Sequence, residues 1–265
     1  MRHWSALTVA TVLWVAVPAV HAQEGPTATS SPIASPTALP EELDASPPGV
    51  HESAATTLRQ APEIRLPGAL APRRHAAPSV GSLISELPFD FRAAASTDNA
   101  IIMLSASASA SLMHPYDQRI TARLTSSPSL DTFFAPGKLA GGFAVQFGGA
   151  WAAYGLGRVV GNERLAMVGA DLVRAQIVNS VFTQGLKLSV GRSRPDGDAW
   201  SFPSGHTSGT FANAAVLHRH FGWKVGAPMY ALATYVAASR IQERRHFASD
   251  VLFGAGVGLI SGRAV

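Results

Sequence analysis

Apolar positions in the second half of the chain recur at helical rather than strand spacing. Between residues 81 and 265, apolar side chains return every three or four positions and almost never alternate strictly with polar ones. The fold class that this pattern predicts is all-α, a bundle of packed helices. We expect seven helices, near residues 97–112, 116–126, 138–160, 163–189, 204–220, 226–241 and 246–262.

The hydropathy of these segments does not decide between a soluble bundle and one embedded in a membrane. Residues 139–157 carry no charge, and Gly141, Gly148 and Gly155 recur on one face, which suits close helix packing in water or in lipid. The segment is glycine-rich, and the long segment 165–186 is interrupted by charged residues, so neither is a strong membrane-spanning candidate. The pattern favours a soluble or peripheral bundle and leaves membrane association open.

The composition of the first 80 residues differs from that of the rest of the chain and indicates two further segments. Residues 1–22 have a basic start, an uncharged apolar stretch and small residues before a cleavage point, which is typical of a secretory signal peptide. Residues 23–80 contain ten of the 18 prolines with many Ala, Ser and Thr, and no helical or strand period persists there. We expect this segment to be a disordered linker. The folded domain is then 81–265, and the protein is exported to the periplasm or cell envelope.

Composition and charge exclude several functional classes. The chain of 265 residues has no cysteine, which rules out disulfides, thiolate nucleophiles and cysteine-based metal sites. Its formal net charge is +4, but the basic residues are scattered without a run of five, so a nucleic-acid partner is not indicated. No metal site or cofactor is predicted.

Three short clusters in the folded region carry the candidate chemistry. In the last cluster, His246 and Asp250 are four residues apart, so on a helix they share a face and the carboxylate can fix the imidazole tautomer. The other ring nitrogen is then free to attack an electrophile. Taken alone, this spacing also fits an ordinary ion pair on a helix surface or, less readily, two ligands of a metal site.

The other two clusters both suit an anion. Ser204 is a candidate helix cap before Gly205 and His206, and the free N–H groups of a helix start attract negative charge. Lys187 and Arg194 are cations of the kind that bind phosphate, one as a point charge and the other as a fork. Taken alone, the cluster at Ser204 also fits an ordinary turn. The cations Lys187 and Arg194 also fit the usual preference for basic residues near a helix C-terminus.

Together the clusters resemble a known family, the type 2 phosphatidic acid phosphatases (PAP2), which are grouped with bacterial class A acid phosphatases and vanadium haloperoxidases. The family pattern is K-x6-RP, PSGH and SR-x5-H-x3-D, and all eleven specified positions match in order over roughly residues 97–262. The resemblance implies a helical bundle of this type. It also implies a role for each matching residue: His246 as nucleophile, Asp250 as its orienting partner, His206 as general acid, and Lys187, Arg194, Ser204, Gly205 and Arg240 as phosphate ligands.

The function expected from this resemblance is hydrolysis of a phosphomonoester, lipid phosphate or lipid pyrophosphate through a phosphohistidine, with a phosphorylated lipid or small molecule as the partner. A vanadium haloperoxidase is the alternative enzyme, with vanadate held in the same cradle on His246. A non-catalytic anion-binding membrane protein is the third reading. It would need neither the acid nor the nucleophile that the sequence retains.

Overall fold

A computed structural model describes residues 78–126 and 128–265 of the chain. These residues form helices without any strand, which confirms the predicted all-α fold. A short 3-10 turn, His114–Tyr116, also lies between the second and third helices. The helices are α1 Val80–Ala94, α2 Thr97–Met113, α3 Asp117–Leu124, α4 Pro128–Ala140, α5 Phe143–Val159, α6 Glu163–Val190, α7 Gly205–Phe221, α8 Trp223–Gln242 and α9 Ala248–Ala264.

The predicted signal peptide at 1–22 and nearly all of the predicted linker at 23–80 lie outside the described residues. The linker was predicted to end at residue 80, but the structure already has a helix at that position. Ser79 caps α1 by accepting a hydrogen bond from the Ser82 backbone N–H at 3.1 Å, so ordered helix begins at Val80.

α7 lies at the centre of the bundle and packs against α6, α8 and α9. Its buried Ala212 and Val216 join Val173 of α6 and Tyr154 of α5 in the main apolar cluster. α9 approaches α7 closely because Gly258 has no side chain: a Cβ there would overlap the Ser208 carbonyl and the Phe211 side chain. This contact places the third turn of α9 beside the first two turns of α7.

Three helices, α1, α4 and α5, differ from the sequence expectation. The predicted helix at 138–160 is divided, because α4 ends at Ala140 and α5 begins at Phe143. The break falls at Gly141, where a Cβ would overlap Val236 and crowd the His206 ring. α1 and most of α4 were not predicted.

α6 is the one helix among the described residues that is long and apolar enough to cross a membrane by length and composition alone. Of its most apolar 18-residue window, with mean hydropathy 1.3, 56% is buried within the bundle. Core helices of soluble proteins have the same properties. The helix begins at the cap residue Asn162 and ends at Gly191, whose φ of +61° is left-handed and turns the chain into the loop before α7.

Candidate active site

Residues from all three sequence clusters line one cavity of about 550 Å³. The last turn of α6, the following loop, the first turn of α7 and the α8–α9 connection each contribute to its wall. From the predicted site, the lining residues are Lys187, Arg194, Gly205, His206, Arg240 and His246. Ser204 and Asp250 are fully buried behind the wall.

Three cations surround one end of the cavity. The Lys187 ammonium donates to the Trp200 carbonyl at 2.6 Å, which holds it against the loop. Arg240 is 4% exposed and its Nη1 donates to Glu243 at 2.8 Å. Among the described residues, the buried Nε–H groups of Arg194 and Arg240 have no hydrogen-bond partner. Buried donors without a partner are rare, so this end of the cavity is suited to an anion.

The first turn of α7 adds a helix dipole to the same cavity. Gly205 and His206 begin the helix and line the wall, where the positive end of the dipole favours an anion. Ser204 is the N-cap of this helix, as the sequence predicted, and it is fully buried. Its hydroxyl caps the helix by accepting from the Thr207 backbone N–H at 3.5 Å and the Thr207 hydroxyl at 3.0 Å. A direct contact between Ser204 and phosphate stays a prediction.

The hydrogen bond of His246 determines which ring nitrogen is free. Its Nδ1 lies 2.6 Å from the Ser201 backbone carbonyl, and a carbonyl oxygen can only accept. Nδ1 therefore carries the proton, and the lone pair is on Nε2. The backbone N–H of His246 also donates to the Arg240 carbonyl at 3.2 Å, so the residue is held at its main chain as well as at its ring.

Asp250 does not hold His246 in the way the sequence suggested. α9 begins at Ala248, so His246 precedes the helix, and no hydrogen bond joins the two side chains in the described part of the chain. The Asp250 carboxylate instead accepts from the Ser201 hydroxyl, from the Phe247 backbone N–H at 2.8 Å and from Arg192 at 2.6 Å. Its link to the imidazole passes through Ser201, which binds Asp250 with its hydroxyl and His246 with its carbonyl.

Arg192 is a site residue that the sequence motif did not specify. Besides Asp250, its guanidinium donates to the Ser249 hydroxyl at 2.8 Å and to Asp117 at 2.8 Å, and it lies 4.3 Å from the centre of the Phe247 ring. Asp117 comes from α3, more than 70 positions earlier in the chain, so no local pattern could have revealed the pair. Arg192 thus joins α3, the loop before α7 and the start of α9.

Burial and positive charge keep both histidines neutral. Burial, followed by the charges of Arg240, Lys187 and Arg194, lowers the pKa of His206 to about 4. Burial, followed by Lys187 and Arg240, lowers the pKa of His246 well below its ordinary value. A neutral imidazole at position 246 is the form that can attack phosphorus. At position 206, a proton donor requires a bound anion, because negative charge nearby raises a histidine pKa.

No group of three or more His, Cys, Asp or Glu side chains within 78–126 and 128–265 is arranged to hold a metal ion. The positive charge at the cavity end is supplied by the side chains themselves.

Comparison with known proteins shows a family resemblance in the carboxy-terminal part of the chain. The profile of the PAP2 superfamily matches residues 168–265, which include every predicted site residue. A lipid A 1-phosphatase from Porphyromonas gingivalis is 42% identical over 102 residues, 36% of this chain and 22% of the relative. A lipid A 4'-phosphatase from Helicobacter pylori is 35% identical over 63 residues, 23% of this chain and 32% of the relative. The chain thus spans less than a third of the length of either relative.

The fold has a counterpart in a solved structure. The first transmembrane PAP2-type phosphatidylglycerolphosphate phosphatase from Bacillus subtilis superposes with a TM-score of 0.51 and 19% identity. The superposition covers 69% of this chain and 92% of that one. The resemblance to the PAP2 superfamily is thus carried by residues 168–265 of the chain.

Proposed function

We propose that this protein is a PAP2-type phosphatase that removes the phosphate from a lipid phosphate by way of a phosphohistidine. One observation carries the proposal: the buried Nε–H donors of Arg194 and Arg240 lack partners on the same cavity that holds His246, whose Nε2 is free. Donors arranged around a nucleophile are what phosphoryl transfer requires, since charge develops on the equatorial oxygens.

In the first step, His246 Nε2 attacks phosphorus and the bond from phosphorus to the leaving oxygen breaks. Lys187, Arg194 and Arg240 bind the phosphoryl oxygens, and His206 gives its proton to the leaving oxygen. The bound phosphate supplies the negative charge that raises the pKa of His206 from about 4 in the free site. In the second step, a water molecule gives its proton to His206 and cleaves the phosphorus–nitrogen bond, which releases inorganic phosphate.

A lipid is favoured over a soluble ester by the surface next to the cavity. Phe143 lines the cavity and is 60% exposed, at the start of α5, whose only charged residue is Arg158. Further along α5, Leu156 and Val159 are also exposed. Exposed apolar groups of this extent on one helix are typical of surfaces that contact membranes or partners. The names of the two curated relatives point the same way, and we propose a membrane-associated protein of the cell envelope.

Phosphate release by the purified full chain in detergent tests this function. We expect release from phosphatidic acid and from lipid A phosphates, with activity that survives EDTA and falls with vanadate, which mimics the trigonal-bipyramidal transition state. Loss of activity in EDTA that a divalent metal restores would refute the mechanism. Peroxidase activity that appears with vanadate, without any phosphate release, would favour the haloperoxidase alternative.

A further inference from the structure

A second cavity of about 550 Å³ lies toward the other end of α7 from the candidate active site. The helix rises by roughly 18 Å from His206 to His218, and the two cavities share no lining residue. The volume is within the range of ligand sites, about 300–1,000 Å³. We call it the distal cavity, and its walls on α2, α7, α8 and α9 include Ile102, His218, Trp223, Tyr230, Leu259 and Arg263.

Aromatic rings form one side of the distal cavity. The His218 ring contacts both Trp223 and Tyr230, with centres 4.3 Å and 5.7 Å apart. α8 brings these rings together because Gly226 has no side chain: a Cβ there would overlap the His218 ring. Trp and Tyr have an apolar body and a polar end, so they are typical of sites where the apolar and polar parts of a lipid meet.

The remaining wall is apolar. Ile102 of α2, Phe211 of α7 and Leu259 of α9 line it, and we call these three residues the apolar lining. No Asp or Glu side chain of the described part of the chain lines the distal cavity. An apolar space without a carboxylate suits an acyl chain and disfavours a cationic ligand.

Arg263 supplies a cation with available donors. Its Nε donates to Oδ1 of the buried Asn99 at 3.2 Å, and within the described residues it forms no ion pair and no other hydrogen bond. Its Nη groups are therefore available to a ligand, and its exposure places them at the cavity mouth. Arg219 also lines the cavity, but it already donates to Asp171 at 2.8 Å and to the Val265 carbonyl.

We propose that the distal cavity binds an anionic phospholipid of the surrounding membrane, with its phosphodiester on Arg263 and one acyl chain along the apolar lining. The guanidinium fork matches two phosphate oxygens. Both arginines repel the ammonium of a zwitterionic head group, and no carboxylate of the cavity wall offsets that repulsion. The proposal uses the membrane association proposed above but not the catalytic activity, because a phosphodiester has no terminal phosphate to release.

Lipid-dependent unfolding of the purified full chain tests this site. Only the folded chain has the cavity, so a bound lipid should raise the melting temperature. We expect phosphatidylglycerol in mixed micelles to stabilise wild-type protein more than phosphatidylcholine with the same acyl chains, and native mass spectrometry to show the bound lipid. Arg263→Gln should raise the half-maximal mole fraction of phosphatidylglycerol by about 10-fold, whereas Arg263→Lys, which keeps the charge, should retain most of the preference.

Matched variants locate the lipid within the molecule. Ile102→Trp fills the apolar lining and should weaken phosphatidylglycerol binding while Arg263 stays in place. Its neighbour Ile101 is 61% exposed and lies outside the cavity, so Ile101→Trp should leave binding unchanged. Arg194→Gln removes a cation from the candidate active site and should also leave it unchanged.

Three results would overturn the site. The first is an equal effect of the two lipids on wild-type protein, and the second is a phosphatidylglycerol preference that survives in Arg263→Gln. The third is full stabilisation by inorganic phosphate alone, which would show a site for a free anion rather than a lipid. None of these measurements depends on phosphate release, so a failure of this proposal is distinct from a failure of the proposed function.

Discussion

Replacing Asp250 with asparagine separates two views of what this carboxylate does. If Asp250 were the direct partner of His246, its loss would be mainly chemical and would appear in kcat. In the structure it is instead a fully buried acceptor for three donors: Arg192, the Ser201 hydroxyl and the Phe247 backbone N–H. An asparagine offers one acceptor oxygen, so its own NH2 group must face at least one of these donors.

The size of the effect follows from the buried ion pair. Removing one partner of a buried pair costs about 3–5 kcal/mol when the remaining charge is left without compensation. Arg192 keeps Asp117 as a second carboxylate partner at 2.8 Å, so we expect the lower end of this range, about 3 kcal/mol. For a domain of this size, that corresponds to a melting temperature lower by roughly 6–12 °C. The loss in kcat should be secondary, about 100-fold or less, since it arises only from displacement of the Ser201 carbonyl that holds His246.

The assay is thermal unfolding of Asp250→Asn together with its kcat and pH profile. The profile should keep its shape, because the carbonyl partner of His246 is unchanged and Nδ1 keeps its proton. Asp98→Asn, an exposed residue of α2, is the control and should change stability by less than about 0.5 kcal/mol. An Asp250→Asn protein with wild-type melting temperature and kcat reduced by more than about 10³-fold would refute the reasoning and restore the direct pair.

Further predictions concern the acid, the electrostatics and the packing. His246→Ala should abolish turnover of both an alkyl phosphate and p-nitrophenyl phosphate, whereas His206→Ala should cost about 10²–10⁴-fold on the alkyl ester and far less on the nitrophenyl ester, whose phenolate leaves unprotonated. Equal losses of His206→Ala on both esters would contradict its role as acid. Arg245 also lines the cavity, and its charge adds to those that lower the His206 pKa. Arg245→Gln should therefore move the loss of kcat/KM with rising pH to higher pH; an unchanged profile would contradict this. Gly258→Ala should lower the melting temperature, because its Cβ would overlap the Ser208 carbonyl, while Gly148→Ala, with open space around it, should not; equal shifts would argue against the close helix contact.

The sequence predicted the all-α class and most helices because apolar spacing reflects burial, which dominates helix packing. It missed the division of α4 from α5, since a glycine inside an apolar run is ambiguous until the neighbouring helix is known. At Gly141 the reason lies in Val236 and His206, which are distant in the chain. α1 was missed because it begins within the proline-rich composition of the expected linker and contains Pro88 itself.

Contacts between residues distant in the chain also explain what the sequence could not predict about the candidate site. Most residues that the motif spacing singled out line one cavity, including Lys187, Arg194 and His246, while their catalytic roles stay predictions. The i,i+4 argument for His246 and Asp250 assumed that one helix carries both residues. Because α9 begins after His246, the carboxylate turns to other donors. Those donors include Arg192, which lies between motif positions, and the Phe247 backbone N–H, and neither type of contact has a signature in a single sequence.

Covalent labelling of His246 tests the central claim most directly. Wild-type protein mixed with a ³²P-labelled lipid phosphate, quenched in base within a single turnover and digested, should yield labelled peptide containing His246, with the acid lability of a phosphohistidine. His246→Ala should give no label and no turnover. Turnover without label on this peptide, or label that persists in His246→Ala, would contradict the mechanism.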